Sequence, residues 1–353
     1  MALRAGVAGL RRGVGLARMM DAIADTDLVA LCDLDEGTLN RVGEQFPKAK
    51  RFVDYKEMLA DGLDIVVVAT PIPVHREQSI MALEAGAHVL QEVTLANTVE
   101  ACRDIVRAVE AHPKQKFMLA ENCCYWSHIM AWTDMWRQGL CGDLIYAEAE
   151  YVHDIRSLTR NPDGTPTWRA SRPPIVYCTH SLGPIVKITG ARPVSICGLH
   201  TGGKMDPELG TFLDFEVGII QTEDHGVIKI LRGQGMMREP AFHYYSIYGT
   251  KGTLETSRPP EVQKTNAYLE AVPNVHNMIE IPLTYDVPGA PREATVGGHG
   301  TAEYYMVKDF VDCIRNDTKP PVDVYMAWNI SVPGLCAHES AMNGGKPVAI
   351  PRP

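Results

Sequence analysis

The chain has 353 residues, enough for two domains that each bury a core. Hydrophobic residues make up 45% and charged residues 22%, the net charge is −9, and no basic run occurs. Nucleic acid and anionic membranes are therefore not expected partners. No apolar stretch approaches the length of a membrane span. Residues Leu3 to Gly9 are predicted to form a strand rather than a signal segment. We therefore expect a cytoplasmic protein.

The nine cysteines show no C-x-x-C spacing, and Cys123 and Cys124 are adjacent, which suits neither a zinc knuckle nor an easy mutual disulfide. We expect buried free thiols in a reducing compartment and no structural metal.

A glycine-rich turn follows the first predicted strand and opens a helical pattern. A dinucleotide fold needs such a turn, because the pyrophosphate approaches bare backbone N–H groups at a helix N-terminus. Gly9 fits the first glycine, but Arg11 holds the second glycine position and the later glycines shift to Gly13 and Gly15. A generic glycine-rich turn is the alternative. The predicted cofactor contacts of this turn are Gly9, Arg11, Arg12 and Gly13.

The second predicted strand ends in Asp33, 24 residues after Gly9. An acidic residue near this spacing accepts the adenosine ribose hydroxyls. The next residue is Leu34 rather than a basic residue that would favour a 2′-phosphate, so the sequence favours NAD over NADP.

The stretch Ile65 to Ala69 is entirely apolar, as a parallel strand buried on both faces should be. Thr70 and Pro71 follow at the carboxyl end, where such sheets bind ligands. His75 is expected to cap or pack the next helix more than to do chemistry. Glu92 ends the following strand, where the nicotinamide ribose should lie, and its alternatives are a surface carboxylate or a helix N-cap partner.

Strands alternate with helices up to about residue 120, which predicts an α/β fold with an N-terminal Rossmann domain, a doubly wound parallel sheet, at residues 1–122. Residues 123–353 predict an α+β substrate domain with a largely antiparallel open sheet, and a homo-oligomer formed through that sheet. Residues 256–296 contain many prolines and predict a long excursion. The predicted elements of this domain are a helix at 129–138, strands at 144–152, 194–199, 211–222, 226–232, 243–248 and 253–255, and a helix at 303–316 that packs back on the first domain.

Thr70-Pro71-x-x-x-His75 and Gln91-Glu92-Val93-Thr94 mark the nucleotide-binding half, and more specific motifs follow it. The two most specific are Glu121-Asn122-Cys123-Cys124-Tyr125 and Tyr177-Cys178-Thr179-His180-Ser181-Leu182-Gly183-Pro184. The others are Tyr151-Val152-His153-Asp154, Thr167-Trp168-Arg169 and Gly297-Gly298-His299-Gly300. With these motifs the chain resembles the Gfo/Idh/MocA superfamily, and within it the NAD-dependent glycosidases of glycoside hydrolase family 109. The likeness covers about residues 1–200 and 297–345.

Two positions separate the chain from the ordinary dehydrogenases of that superfamily. Those enzymes have a lysine where Val93 stands and an aspartate where Val176 stands, four residues before His180. The resemblance therefore implies that both acid–base groups of a dehydrogenase are missing. The glycosidases also carry Glu-Val, although they continue with proline where this chain has Thr94.

The resemblance implies a glycosidase that oxidises C3 of the sugar with NAD⁺, loses the aglycone after C2 deprotonation, adds water and restores the hydride. It makes Tyr151 the base at C2 and assigns His180 with Tyr177 to the C3 alcohol. A tyrosine is a poor base at its usual pKa of about 10, so nearby positive charge is required. Glu121 would hold sugar hydroxyls or a leaving-side proton. The other implied contacts are Val93 and Asn122 with the cofactor, and His153, Trp168, Arg169 and Tyr125 with a small-molecule glycoside.

Each of these residues also has a purely structural interpretation. Tyr151 and Tyr177 could be packed aromatic residues, His180 a helix cap, Glu121 an ion-pair partner, Trp168-Arg169 a surface loop, His153-Asp154 a pair that orients Tyr151, and His299 part of a turn. The alternative functions are an NAD-dependent sugar or cyclitol dehydrogenase and a non-catalytic sugar or nucleotide sensor.

Overall fold

The structure is a computed structural model that describes residues 1–258, 264–283 and 285–353. The first 120 residues alternate between strands and helices, as predicted. The strands are β1 (Leu3–Ala8), β2 (Thr26–Cys32), β3 (Lys50–Phe52), β4 (Ile65–Val68), β5 (His88–Gln91) and β6 (Phe117–Leu119). The helices are α1 (Leu10–Ala22), α2 (Glu36–Gly43), α3 (Tyr55–Leu59), α4 (His75–Glu84) and α5 (Val99–Ala111).

The six strands form one parallel sheet in the order β3-β2-β1-β4-β5-β6. All four residues of β4 are buried, because parallel crossovers place helices on both faces of such a sheet. Side-chain caps begin several helices: Asp35 accepts the Thr38 N–H at α2, and Thr98 accepts the Ala101 N–H at α5. The predicted Rossmann architecture is confirmed.

The rest of the chain builds a second, mixed sheet. Its strands are β7 (Leu144–Val152), β8 (Pro193–His200), β9 (Phe215–Thr222), β10 (Val227–Gly233), β11 (Phe242–Gly249), β12 (Gly252–Thr256), β13 (Thr265–Leu269), β14 (Ile279–Ile281) and β15 (Val348–Ala349). The helices are α6 (Ser127–Arg137), α7 (Thr179–Thr189), α8 (Ala302–Arg315) and α9 (Val324–Met342). The strand order is β14-β13-β12-β11-β7-β10-β9-β8-β15, antiparallel except for β7 with β10. The largely antiparallel sheet is thus confirmed.

One face of this sheet is buried. Along β7 the side chains of Ala147 and Ala149 are fully buried, and along β10 those of Ile228 and Ile230 are fully buried. The same faces continue to Tyr151 and Arg232, which are paired neighbours in the β7–β10 register. A polar residue pair therefore ends two apolar rows at the carboxyl ends of neighbouring strands.

Three sequence-based expectations need correction. The helix predicted to follow the glycine-rich turn begins within it, at Leu10, because Gly9 already takes the left-handed conformation that starts the helix. The excursion predicted at 256–296 contains β13 and β14, although residues 259–263 and 284 within it lie outside the described part of the chain. Helix α9 was not predicted; its apolar residues face all round rather than in one stripe, which obscures the helical period.

The chain divides into two units. The first contains residues 1–125, 285–328 and Pro353, and the second contains residues 126–284 and 329–352. Helix α8 belongs to the first unit and contacts α1 there. Among the described residues, no helix combines the length and the apolar character needed to cross a membrane. Eight of the nine cysteines are buried, and Cys197 is half-buried.

Candidate active site

In the glycine turn of the first unit, neighbouring groups approach the backbone closely. Gly9 has φ 86°, and a Cβ there would lie 2.5 Å from the carbonyl oxygen of Ala69. A Cβ on Gly13 would lie 2.9 Å from Cγ1 of Val7. Glycine at both positions lets α1 begin directly against β1, so the first N–H groups of the helix face the carboxyl edge of the sheet. This is the arrangement that binds a pyrophosphate.

Asp33 follows β2 and is held by backbone donors. Its carboxylate accepts the N–H of Leu10 at 2.7 Å and the N–H of Asp35 at 2.9 Å. The next side chain, Leu34, is 85% exposed and carries no charge. The guanidinium of Arg11 is mostly exposed and lies 3.7 Å from Asp35. A carboxylate in this position fits the ribose hydroxyls of a dinucleotide.

Arg12 joins two buried carboxylates. Its Nη2 lies 2.8 Å from Oε1 of Glu92, and its Nη1 lies 2.8 Å from Oε1 of Glu303. Glu92 is therefore not a surface carboxylate. Glu303 was not expected at this site, since it lies 291 residues after Arg12 in the chain. The Gly297-Gly298-His299-Gly300 motif was the only sequence signal in its neighbourhood.

Several donors hold the carboxylate of Glu303. Burial alone would raise its pKa, but the hydrogen bond with His299, the charge of Arg12 and the N–H of Gly298 outweigh burial and lower the pKa to about 2. The ring Nδ1 of His299 lies 2.9 Å from Oε1, and the Gly298 N–H donates to Oε2 at 2.8 Å. His299 lies in a loop just before α8. Glu303 is consequently ionised at neutral pH and fixes Arg12 beside the glycine turn.

His75 begins α4 and is fully buried. Its Nδ1 lies 2.8 Å from the carbonyl oxygen of Thr94, and its Nε2 lies 2.8 Å from that of Thr70. Burial lowers the pKa of His75 despite these two carbonyl contacts, so the ring is neutral at pH 7. It ties the segment after β4 to the segment after β5. Pro71 is exposed beside Thr70, whose hydroxyl donates to Gln78 at 2.6 Å.

Four further predicted residues of the first unit are buried: Val93, Glu121, Asn122 and Tyr125. The Cys123 N–H donates to Oε1 of Glu121 at 3.1 Å. Burial, with a smaller contribution from Asp309, raises the pKa of Tyr125 well above its ordinary value. Tyr125 thus stays a neutral phenol and packs inside the first unit.

In the second unit, three of the four predicted catalytic residues come together: Tyr151, Tyr177 and His180. The hydroxyl of Tyr151 lies 2.8 Å from Nδ1 of His153. The ring of His180, on the first turn of α7, lies 5.3 Å from that of Tyr151 and 5.1 Å from that of Tyr177. The Tyr245 hydroxyl donates to the His180 carbonyl and so fixes that turn.

His243 is a member of this cluster that the sequence did not reveal. Its ring stacks on Tyr151 with centroids 4.2 Å apart and planes 8° from parallel, and it lies 5.9 Å from the His180 ring. It comes from β11, whose register places it directly beside Tyr151 on β7. Cross-strand pairing therefore explains the contact, and such pairing cannot be read from local motifs.

Two arginines also belong to the cluster. The guanidinium carbon of Arg232 lies 4.1 Å from the Tyr151 ring centroid, and that of Arg172 lies 4.4 Å from the Tyr177 ring centroid. Gln234 accepts a hydrogen bond from Arg172 at 3.1 Å and donates to its carbonyl oxygen at 3.2 Å. Arg232 could have been recognised in the sequence as a charged residue at a strand position that faces the core. Both cations lie over tyrosine rings, and nearby positive charge favours a phenolate over a phenol.

The protonation states of the cluster follow from burial and from these cations. Burial, and then the charge of Arg232, lower the pKa of His153, so this ring is neutral at pH 7. Burial and Arg232 lower the pKa of Arg172 to about 9, and burial lowers that of Arg232. Both guanidiniums still remain charged at neutral pH. A neutral His153 that carries its proton on Nε2 accepts the hydrogen bond from Tyr151.

The remaining predicted substrate contacts, Trp168 and Arg169, lie shortly before Tyr177 in the chain. Trp168 and Arg169 form a short 3₁₀ turn, both half-buried, with the guanidinium 4.5 Å from the indole centroid. Arg172 lies 5.9 Å from the same indole. The predicted His153-Asp154 pair needs correction: His153 contacts Tyr151, whereas the Asp154 carboxylate accepts from Arg156 at 2.6 Å.

Comparisons with known proteins match both ends of the chain. Residues 3–120 match the Gfo/Idh/MocA model, described as an oxidoreductase family with an NAD-binding Rossmann fold, and residues 213–352 match the C-terminal domain of glycosyl hydrolase 109. A glycosyl hydrolase family 109 protein of Solibacter usitatus is 29% identical over 99% of this chain and 87% of its own. An alpha-N-acetylgalactosaminidase of Shewanella oneidensis is 27% identical over 99% of this chain and 84% of its own.

Solved structures share the fold at lower identity. A levoglucosan dehydrogenase in complex with NADH matches with a TM-score of 0.84 and 16% identity over all of both chains. A myo-inositol 2-dehydrogenase from Lactobacillus plantarum matches with a TM-score of 0.78 and 21% identity over 99% of this chain and all of its own.

Proposed function

Because the chain belongs to the Gfo/Idh/MocA superfamily and resembles its glycosyl hydrolase family 109 members, we propose that it is a glycosidase that uses NAD⁺ catalytically. One observation carries the proposal: the Tyr151 hydroxyl contacts a neutral histidine while a buried guanidinium lies against its ring. This arrangement prepares a phenol to give up its proton and act as a base. Val93 and Val176 stand where a simple dehydrogenase has a lysine and an aspartate, which agrees with chemistry of another kind.

The first unit fits the cofactor. A side chain at residue 9 would fill the space that the glycine turn leaves, α1 begins at Leu10, and Asp33 presents a carboxylate at the end of β2. Asp33 and the uncharged Leu34 favour NAD over NADP. When bound, NAD⁺ supplies reversible removal of hydride from C3 of the sugar. Arg12, Glu92, Val93 and Asn122 are the further residues proposed to hold it.

Tyr151 is the proposed base at C2 of the sugar. A ketone at C3 makes the C2 proton acidic, since the resulting carbanion is an enolate. The phenolate oxygen takes that proton, and the aglycone departs from C1 with the bonding electron pair. Water then adds across the C1–C2 double bond, its hydroxyl to C1 and a proton to C2. His153 accepts the hydroxyl proton of Tyr151 at Nδ1, which returns the base to its reactive form.

His180 and Tyr177 are proposed to manage the proton of the C3 hydroxyl. Their rings meet edge to face, and Arg172 lies against the Tyr177 ring. Trp168 offers an aromatic face for the sugar and Arg169 a donor for its hydroxyls. Glu121 is proposed to hold a hydroxyl or the leaving-side proton.

The test is a panel of aryl glycosides assayed with and without added NAD⁺, followed by mass spectrometry of the protein for retained cofactor. Hydrolysis in D₂O should place deuterium at C2 of the released sugar. A substrate blocked at O3 should not be hydrolysed, and its continued hydrolysis would refute the oxidation step. Net accumulation of reduced cofactor with free sugar would instead identify a sugar or cyclitol dehydrogenase, and binding without turnover would identify a sensor.

A further inference from the structure

Arg232 is a buried cation without a carboxylate partner. It is 1% exposed, and among residues 1–258, 264–283 and 285–353 no acidic side chain forms an ion pair with it. Within the same described ranges its Nε has no hydrogen-bond partner. Its Nη1 donates to the Tyr151 carbonyl only at 3.4 Å. The guanidinium carbon instead lies over the Tyr151 ring, 4.1 Å from its centroid.

A buried charge is costly unless an opposite charge compensates it. The face of a neutral aromatic ring compensates a cation only in part. The two groups whose negative charge acts favourably on Arg232 are Tyr151 and Tyr177. A phenolate on Tyr151 would thus complete the pairing that the neutral phenol leaves incomplete.

We propose that Arg232 is a positioning residue that holds Tyr151 as a phenolate, an inference that rests on the role of Tyr151 in the proposed function. In this step the phenol O–H bond breaks, its electron pair stays on oxygen, and the proton passes to Nδ1 of His153. The half-buried His153 releases the proton on its Nε2 to water and so remains neutral.

Histidine and arginine side chains face Tyr151 from its own strand and from neighbouring elements. On its own strand it faces His153; from α7 it faces His180, and from β11 it faces His243. Arg232 approaches from β10, and Arg172 is placed over the neighbouring Tyr177. Arg172 brings a second positive charge into the cluster, whereas the carboxylates of Glu239 and Asp154 act on the neighbouring His153.

The other face of the same sheet supplies a matched comparison. Arg258 lies 4.1 Å from the ring centroid of Tyr244, the distance found for Arg232 and Tyr151. Arg258, however, also donates to Glu150 at 2.8 Å, so a carboxylate pairs with it. Burial, with the carboxylates of Glu255 and Glu148, raises the pKa of Tyr244. At Tyr244, burial and these carboxylates therefore outweigh the lowering effect of Arg258 on the pKa.

The test is a pH titration of tyrosinate ultraviolet absorbance on the purified protein, without substrate. The difference between wild type and Tyr151→Phe isolates the ionisation of residue 151. We expect that step about 1–3 pH units below the usual value of about 10. Arg232→Met should move it up by a similar amount, Arg232→Lys should retain most of the shift, and the control Arg258→Met should leave it unchanged. A step at about pH 10 or above in wild type, or one that Arg232→Met does not move, overturns the inference.

The titration separates this inference from the proposed function. It needs no turnover, so a low-pH step in a protein that hydrolyses no glycoside supports the role of Arg232 and refutes the glycosidase. If Arg232→Met does not fold, the wild type and Tyr151→Phe comparison still decides. In an active enzyme, Arg232→Met should also move the acidic limb of the kcat/KM profile to higher pH, which a merely structural role would not do.

Discussion

The carboxylate of Glu303 occupies the space that a side chain at Gly15 would need, since a Cβ there would lie 2.8 Å from Oε2. This contact explains the displaced glycines of the turn. Gly13 serves the close packing of α1 on β1, whereas Gly15 makes room for a carboxylate that holds Arg12. The unusual spacing of the glycines thus fits the Arg12–Glu303 ion pair, which an ordinary dinucleotide turn does not need.

Gly15→Ala should therefore destabilise the protein. Alanine in a helix normally gains about 1 kcal/mol over glycine. Here the added methyl group should displace Glu303, so we expect a lower melting temperature and weaker NAD binding. Thermal unfolding and calorimetric titration with NAD⁺ measure the two effects. Gly37→Ala, within α2, is the control and should be neutral or stabilising; equal behaviour of the two variants would contradict the role given to Glu303.

Glu303 should also make stability depend on pH. Its pKa falls from 4.5 to about 2 on folding, so it stabilises the fold fully above pH 4.5 and this contribution disappears as pH falls through about 2. Glu303→Gln should lower the free energy of unfolding at pH 7 by about 3 kcal/mol.

Denaturant unfolding of both proteins between pH 7 and pH 3 measures this difference, which should shrink only below about pH 4.5. Glu100→Gln removes an exposed carboxylate that pairs with Arg103 and should change stability little. A Glu303→Gln difference that stays constant down to pH 3 would show that ionisation of this residue does not stabilise the fold.

Much of the fold was predictable because its signals are local. The buried run of β4, the acidic residue after β2 and the alternation along β7 each lie within one element. The contact between Tyr151 and His153 was also within reach, since residues two apart on a strand share one face.

The remainder of the site depends on distant parts of the chain. Arg232 meets Tyr151 through strand pairing across 81 residues, and Glu303 reaches Arg12 across 291. His243 reaches the cluster through the pairing of β11 with β7. Strand order and register fix such contacts, and neither can be read from periodicity alone.

Asp33 should select the cofactor. Asp33→Ala removes a carboxylate that would bind the ribose hydroxyls, and hydrogen bonds to charged groups contribute about 1.5–3 kcal/mol, so the Kd for NAD should rise by about tenfold or more. Asp27→Ala changes an exposed aspartate near the start of the same strand and should not alter the Kd. Binding titrations with NAD and NADP decide the assignment, which equal affinity of the wild type for both would overturn.

Variants at Tyr151 and His180 should be impaired at different steps of the proposed reaction. Tyr151→Phe keeps the ring but removes the base, so aglycone release should slow by about 10²–10⁴ while a transient reduced-cofactor absorbance persists. His180→Ala should suppress that absorbance itself. Tyr146→Phe removes a hydroxyl from the other face of β7, where it donates to Glu148, and should retain activity. Stopped-flow absorbance with an aryl glycoside separates the steps. If the reaction rate falls by less than about tenfold in both variants, the two residues have only a structural role.

The second sheet should support self-association through its outer face. Ile219 on β9 is 44% exposed there, and Leu199 on β8 and Tyr248 on β11 are exposed on the same face. Exposed apolar groups on one sheet face favour burial against a second copy. Ile219→Lys should therefore shift the protein to a smaller species at equal concentration in light scattering after size exclusion. Ile145→Lys places the same charge on the opposite side of β7 and should leave the mass unchanged. If Ile219→Lys does not alter the mass, this face is not the interface. If the wild type stays monomeric at every concentration, the protein does not form an oligomer.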